Sequence, residues 1–390
     1  MLKLHRTVIA LGVVSFFTDV SSEMIYPLLP LFLSSMLGAG AVAAVALGII
    51  EGVAESTAAI LKIISGYWTD KLSKRKPFLM AGYGLAGLAR PLIGLAGIWP
   101  VVLGLRFLDR VGKGLRTSPR DALIADVTTP DRRGAAYGFH RSLDHAGAVV
   151  GPLVAAALLT ISGVTLRTVF LLAFIPAVIV MLILFFGVKE NPSDKPAVVS
   201  SSPVRLSLRD VTPNFRWFLL ALLIFTLGNS TDAFMLLRLT QADVPAGWIA
   251  VLWSLHHVVK MTATYKGGLW ADRFGHRRLI MLGWAFYAAV YTAFAWVDSA
   301  TGMIVVFLIY GVYYGLTEPA EKALVSLLTS AERKGTGFGL YHGAIGLGAL
   351  PASLIFGLVW RQAGASAAFI MGAGLAAMAA IVLTQVKVNR

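Results

Sequence analysis

Gly66-Tyr67-Trp68-Thr69-Asp70-Lys71-Leu72-Ser73-Lys74-Arg75-Lys76 closes one long apolar run, crosses a tight turn and opens another. Far down the chain the same order of chemistry returns as Gly268-Leu269-Trp270-Ala271-Asp272-Arg273-Phe274-Gly275-His276-Arg277-Arg278, again between apolar runs. Such a turn needs a small residue tolerant of positive φ; Gly275 supplies one, and Ser73 holds the matching place. Asp70 and Asp272 stand where an exposed helix N-terminus or a basic neighbour would receive a carboxylate. The basic residues that follow mark turns retained on the cytoplasmic side of a membrane. Two copies in equivalent settings predict a duplicated membrane architecture.

Composition agrees. Apolar residues make up 57% of the 390 and charged ones 14%, against roughly 45–50% and 25% in soluble domains. A spanning helix takes about 20 apolar residues, so twelve with short loops would use most of this length. The spans predicted lie near 7–33, 42–68, 77–98, 100–122, 135–160, 167–188, 216–238, 247–270, 279–297, 301–326, 336–359 and 365–386. Lys71, Lys74, Arg75, Lys76, Arg132, Arg133, Arg273, Arg277, Arg278, Arg333 and Lys334 share one set of loops, while the opposite set holds Arg167, Arg238 and Arg361. Both termini are therefore expected in the cytoplasm. The net charge of +14 reads as loop charge and not as a nucleic-acid surface. With no cysteine, disulfides, thiolate nucleophiles and cysteine metal sites are excluded. Residues 189–214, with Asn191-Pro192, Lys195-Pro196 and Ser200-Ser201-Ser202-Pro203, read as a polar linker between an N-terminal bundle (1–188) and a C-terminal one (215–390). The bundles echo each other: Ser21-Ser22-Glu23 answers Ser230-Thr231-Asp232, and Pro119 answers Pro319.

The turn pattern G-x-x-x-D-[RK]-x-G-x-[RK]-[RK] resembles the signature loop of the major facilitator superfamily. The second copy fits throughout and the first departs at Ser73. The likeness covers the whole chain. It implies an all-α integral membrane fold of twelve helices in two pseudo-symmetric six-helix bundles, acting as a monomer in the bilayer of the cytoplasmic (inner) membrane. It implies no cofactor and no nucleic-acid partner. Gly66, Asp70, Lys71, Arg75, Gly268, Asp272, Arg273, Gly275 and Arg277 would then belong to gating loops.

Ionisable groups at membrane depth mark pathways, proton relays or structural pairs. Asp19 and Glu23 lie four apart on one helical face in the first span, ahead of Tyr26, Pro27 and Pro30. With Asp232 answering them, they are the leading candidates for proton coupling; the bland alternative is a buried structural pair. Glu51, Glu55 and Lys62 in the second span form either an internal salt bridge or, through Glu55, part of the coupling machinery. His256, His257 and Lys260 occupy the matching depth of the eighth span; one histidine, with His257 the candidate, would face a cavity. The fourth span carries Arg106, Arg110 and Lys113 at helical spacing. These either neutralise Asp19, Glu23 and Asp109 or receive an anionic substrate group, whereas Arg116 and Arg120 are expected to brace Asp70. Trp253 and Tyr314, with Tyr26, are candidates to stack on substrate, although interfacial belts account for most membrane Trp and Tyr.

Gly147-Ala148-Val149-Val150-Gly151-Pro152-Leu153-Val154-Ala155-Ala156 resembles the G-x-x-x-G-P-x-x-G-G motif of drug and metabolite antiporters in the superfamily, with Ala-Ala for the last Gly-Gly. That resemblance implies export by proton exchange; the plain alternative is close helix packing. Gly82-Tyr83-Gly84-Leu85-Ala86-Gly87 matches a dinucleotide fingerprint but lies inside an apolar span without a preceding strand, and no ATP-hydrolysing motif is present. The expected function is secondary transport by alternating access, as proton-coupled export of a small organic compound, anionic ones included. A divalent metal or metal-chelate exporter is the alternative on the same fold. A membrane enzyme or non-transporting sensor is the alternative of another class, and it would need a catalytic constellation or output domain that the chain does not display.

Overall fold

The fold is seen in a computed structural model that describes residues 4–37, 41–188, 190, 211–230, 232–242, 244 and 246–387; most of the predicted linker, 191–210, and Thr231 lie outside these. Every regular element among the described residues is helical: α1 (Arg6–Glu23), α2 (Leu29–Leu37), α3 (Ala41–Lys71), α4 (Lys76–Leu92), α5 (Trp99–Asp126), α6 (Arg133–Leu159), α7 (Leu166–Leu172), α8 (Phe174–Gly187), α9 (Pro213–Gly228), α10 (Ala233–Gln241), α11 (Ala246–Phe274), α12 (His276–Trp296), α13 (Ala300–Leu328) and α14 (Lys334–Leu383). A 3-10 turn over Tyr26–Leu28, carrying Pro27, joins α1 to α2 and bends the first predicted span. The long α14 breaks at Gly364, whose φ of 88° and ψ of 169° leave the helical region.

Seven stretches among the described residues are long and apolar enough to cross a membrane: Arg6–Leu37, Lys76–Leu95, Pro130–Leu159, Leu166–Gly187, His276–Trp296, Ala300–Leu328 and Ala331–Leu383. The helices α3, α5 and α11 are as long (31, 28 and 29 residues) but carry charge along their length. Much of that charge is buried, as at Arg106 and Asp109 of α5 and Lys260 of α11, while Phe185, Phe186 and Leu350 are exposed. Apolar side chains outside and ion pairs inside suit a hydrocarbon surround.

Contacts divide the chain into two compact units. One comprises Met1–Val127, Leu143–Val204 and Ala331–Gly339, and the other Thr128–Ser142, Arg205–Ser330 and Leu340–Arg390. In the first, α5 packs against α3 and α4 and α1 against α8; in the second, α13 packs against α11 and α12. Glycines permit the closest crossings. A Cβ at Gly112 would lie 2.4 Å from the Gly82 carbonyl oxygen, and one at Gly267 1.8 Å from that of Gly315. At the two signature turns, Ser73 (φ 52°) and Gly275 (φ 93°) take the same left-handed sense, and Ser73 is the one non-glycine to do so among the described residues.

Candidate functional site

The first unit holds a ladder of buried charge. Asp109 on α5, fully buried, accepts hydrogen bonds from Arg90 Nε on α4 at 2.7 Å and from Arg106 Nη1 at 3.0 Å. Arg106 Nη2 also reaches Glu51 Oε1 on α3 at 2.7 Å, Arg110 meets Glu55 at 3.1 Å, and Lys113 lies 3.9 Å from Glu55. Glu51 and Glu55 therefore turn their shared face to α5, and Lys62 forms no ion pair among the described residues. Of the three acids expected to neutralise the α5 cations, only Asp109 pairs with them; the other carboxylates come from α3. Tyr26 lies beneath Arg106, its ring 5.5 Å from the guanidinium carbon. The sequence reading missed Arg90, though a lone base in a glycine-rich apolar span was its signal. Its Nη1 donates to the Thr18 carbonyl at 3.0 Å and so ties α4 to α1.

Asp19 and Glu23 are half-buried on α1, and their carboxyl groups meet no hydrogen-bond or ion-pair partner among the described residues. They face α6. A Cβ on Gly147 would come within 2.9 Å of the Asp19 Cβ and 2.4 Å of the Phe16 carbonyl oxygen, and one on Gly151 within 2.8 Å of the Glu23 Cβ. One turn before Asp19, Ser15 Oγ donates to Asp144 Oδ1 of α6 at 2.5 Å. The seam thus interleaves Ser15, Asp19 and Glu23 with Asp144, Gly147 and Gly151, and Pro152 follows within α6.

At the signature turns each aspartate caps a helix start. Asp70 Oδ1 accepts from Arg75 Nη1 at 2.6 Å and from the Gly335 amide at 2.9 Å, while Oδ2 accepts from the amide (2.5 Å) and hydroxyl (2.8 Å) of Thr336. Asp272 accepts from the amides of Gly134 and Ala135, both at 2.7 Å. The unpaired amides and partial positive charge of a helix N-terminus favour this placement. Gly66 and Gly268 let the backbones approach: a Cβ would lie 2.2 Å from the Gly335 carbonyl oxygen in one case and 2.4 Å from that of Gly134 in the other. Burial opposes the charge of Arg75, but Asp70 and Asp126 outweigh it and hold its pKa above the usual arginine value. Arg116 and Arg120 do not brace Asp70. Arg116 stacks on Tyr83 at 4.2 Å and Arg120 pairs with Asp121 at 3.0 Å, because α5 aims that part of its surface at α4. Lys71 and Arg273 are exposed, and Arg277 Nη1 donates to the Val386 carbonyl at 2.6 Å.

In the second unit Asp232 sits in a cage. Lys260 Nζ lies 3.3 Å from its carboxylate, and the hydroxyls of Tyr310 and Tyr314 donate to it at 3.3 and 3.1 Å. Lys260 also lies 3.8 Å from the Tyr314 ring centroid and 5.6 Å from that of Trp253. His256, wholly buried, stacks on Tyr310 at 5.5 Å; His257 is the half-buried member of the pair and packs edge-on to Trp253 at 5.3 Å. Tyr310, four residues before Tyr314, escaped the sequence reading. Nearby, Arg141 clamps Glu318 through two hydrogen bonds of 2.5 and 2.8 Å. Among the described residues no three His, Asp or Glu side chains gather as metal ligands would.

Comparison with known proteins places this geometry. The profile of the Major Facilitator Superfamily matches residues 11–253 and 237–388. An uncharacterized MFS-type transporter of Methanocaldococcus jannaschii is 31% identical over 387 residues, covering 98% of this chain and 95% of that one. The multidrug resistance protein MdtH of Proteus mirabilis is 26% identical over 339 residues, 83% of this chain and 80% of that one. Among solved structures, the human organic anion transporter MFSD10 superposes with a TM-score of 0.82 at 17% identity, over 98% of this chain and all (100%) of that one.

Proposed function

The chain belongs to the Major Facilitator Superfamily and is a multi-pass membrane transporter of small molecules, not an enzyme; from that premise we propose that it exports small organic compounds, anionic ones included, in exchange for protons. The reading takes twelve spans in two halves of six, cytoplasmic termini, residence in the inner membrane and a functional monomer. One observation carries the coupling. Glu51, Glu55 and Asp109 are matched by cations, whereas the carboxyls of Asp19 and Glu23 form no direct ion pair among the described residues, on a seam where the glycines of α6 touch α1. A carboxylate removed from water without a counter-charge gains by taking a proton, and it releases that proton when an exchanging ligand or solvent reaches it. Export is supported by the antiporter-like Gly147, Gly151 and Pro152 and by the likeness to MdtH. The α5 cations, held by acids on one side, offer bidentate donors for a carboxylate or phosphate.

The test is substrate-evoked proton movement in proteoliposomes challenged with anionic, cationic and neutral compounds. Asp19→Asn or Glu23→Gln is expected to abolish the proton flux while the protein stays folded. Transport that continues without proton movement, or flux unchanged in both variants, would overturn the assignment.

A further inference from the structure

The second unit contains a cavity of about 200 Å³ between α9, α13 and α14, lined by Phe225, Asn229, Tyr313, Glu321 and Ser353 among others. None of these residues serves the coupling described above. Glu321 is 5% exposed. It accepts a hydrogen bond from the Tyr341 hydroxyl at 2.8 Å, and no cation among the described residues lies within ion-pair distance of it. Three other buried acids are matched by cations: Asp70 has one arginine, Asp109 two and Asp121 one.

Phe225 and Tyr313 form an aromatic wall, their ring centroids 5.6 Å apart. Asn229 and Ser353 add polar edges, and Ala349 is exposed at the rim. The space is large. A dry cavity of about 150 Å³ accommodates a benzene ring, so this one exceeds what a single ion or water needs. A buried carboxylate facing such a space calls for positive charge, and aromatic faces attract organic cations.

Resting on the transporter reading, we propose that this cavity is a subsite for the ammonium end of an organic amine, with Glu321 as its counter-ion. The substrate class is thereby narrowed to molecules bearing a protonated amine beside a compact apolar group.

The probe is benzylammonium, compared with benzyl alcohol and benzoate, titrated calorimetrically into the purified full-length protein without any gradient. Benzylammonium is expected to bind at least about tenfold more tightly than benzyl alcohol, as loss of one charge-assisted contact implies. Glu321→Gln should remove that preference and Glu321→Asp should keep part of it. Ala349→Trp, which fills the rim and leaves the acid in place, should weaken benzylammonium and benzyl alcohol alike, and it covers the case in which Glu321→Gln fails to fold. Equal binding of amine and alcohol, or wild-type amine affinity in Glu321→Gln, would overturn the proposal; the second result would mean that Glu321 holds only a proton. Binding is measured apart from proton flux, so failure here leaves the antiport test standing, and failure there leaves this one.

Discussion

Asp109 shows how the charged interior is held at the level of single residues. Two arginines from different helices share one carboxylate with no exposed surface, so removing the acid strands Arg90 and leaves Arg106 with Glu51 alone. Asp109→Asn is expected to lower stability by about 3–5 kcal/mol, seen as a fall in the thermal midpoint of the detergent-solubilised protein. Replacing the pair together, as Arg90→Met with Asp109→Leu, should recover much of that loss. Ser73 gives a gentler case. Its φ of 52° is one an L-residue adopts at a cost of about 1–2 kcal/mol. Ser73→Gly should raise the thermal midpoint, and Gly275→Ser should lower it by a similar free energy. If both swaps are neutral, the turns do not demand the left-handed backbone they adopt.

At the level of elements, the α1–α6 seam depends on two missing side chains. Adding a Cβ at Gly147 brings it to 2.4 Å from a backbone oxygen of α1, and overpacking of that kind costs about 1–3 kcal/mol. Gly147→Val and Gly151→Leu should therefore push the helices apart and reduce transport by at least about tenfold, with the protein still monodisperse on size exclusion. Wild-type rates in both would show that the close approach serves packing alone. The signature turns were legible in the sequence because their features are local: a small residue, an acid and a basic run within eleven positions. The partners were not. Thr336 lies 266 residues from Asp70, and Gly134 lies 138 from Asp272, and no periodicity links such positions. The α5 cations were visible for the same local reason, but Glu51 and Glu55 could be matched to them only once α3 was seen packed along α5.

For the whole molecule, the absence of cysteine turns topology into a direct experiment. Single cysteines placed at Lys74 or Arg333 should react with an impermeant maleimide only in inside-out vesicles, and those at Thr165 or Asp298 only in right-side-out cells. A reversed or mixed pattern would contradict cytoplasmic termini. The helical class of the molecule was readable from composition, since long apolar runs alternate with short charged turns. The count of spans was less so. The helices α3, α5 and α11 bury ion pairs that resemble soluble sequence, and the single helical run of α14 covers two predicted crossings with only Gly364 to divide them.

The make-up of the first unit carries a consequence for biosynthesis. Asp70 leaves the ribosome early, yet two of its partners, Gly335 and Thr336, belong to a short segment translated some 266 residues later. The amides of Gly134 and Ala135 likewise wait for Asp272. Neither cap can close as its first partner emerges, so each unit must be held in the membrane half-built until the distant segment has been made. A premature stop before residue 331 would leave both amide donors to Asp70 unmade, and such a chain should be marked for proteolysis even with most of its helices inserted.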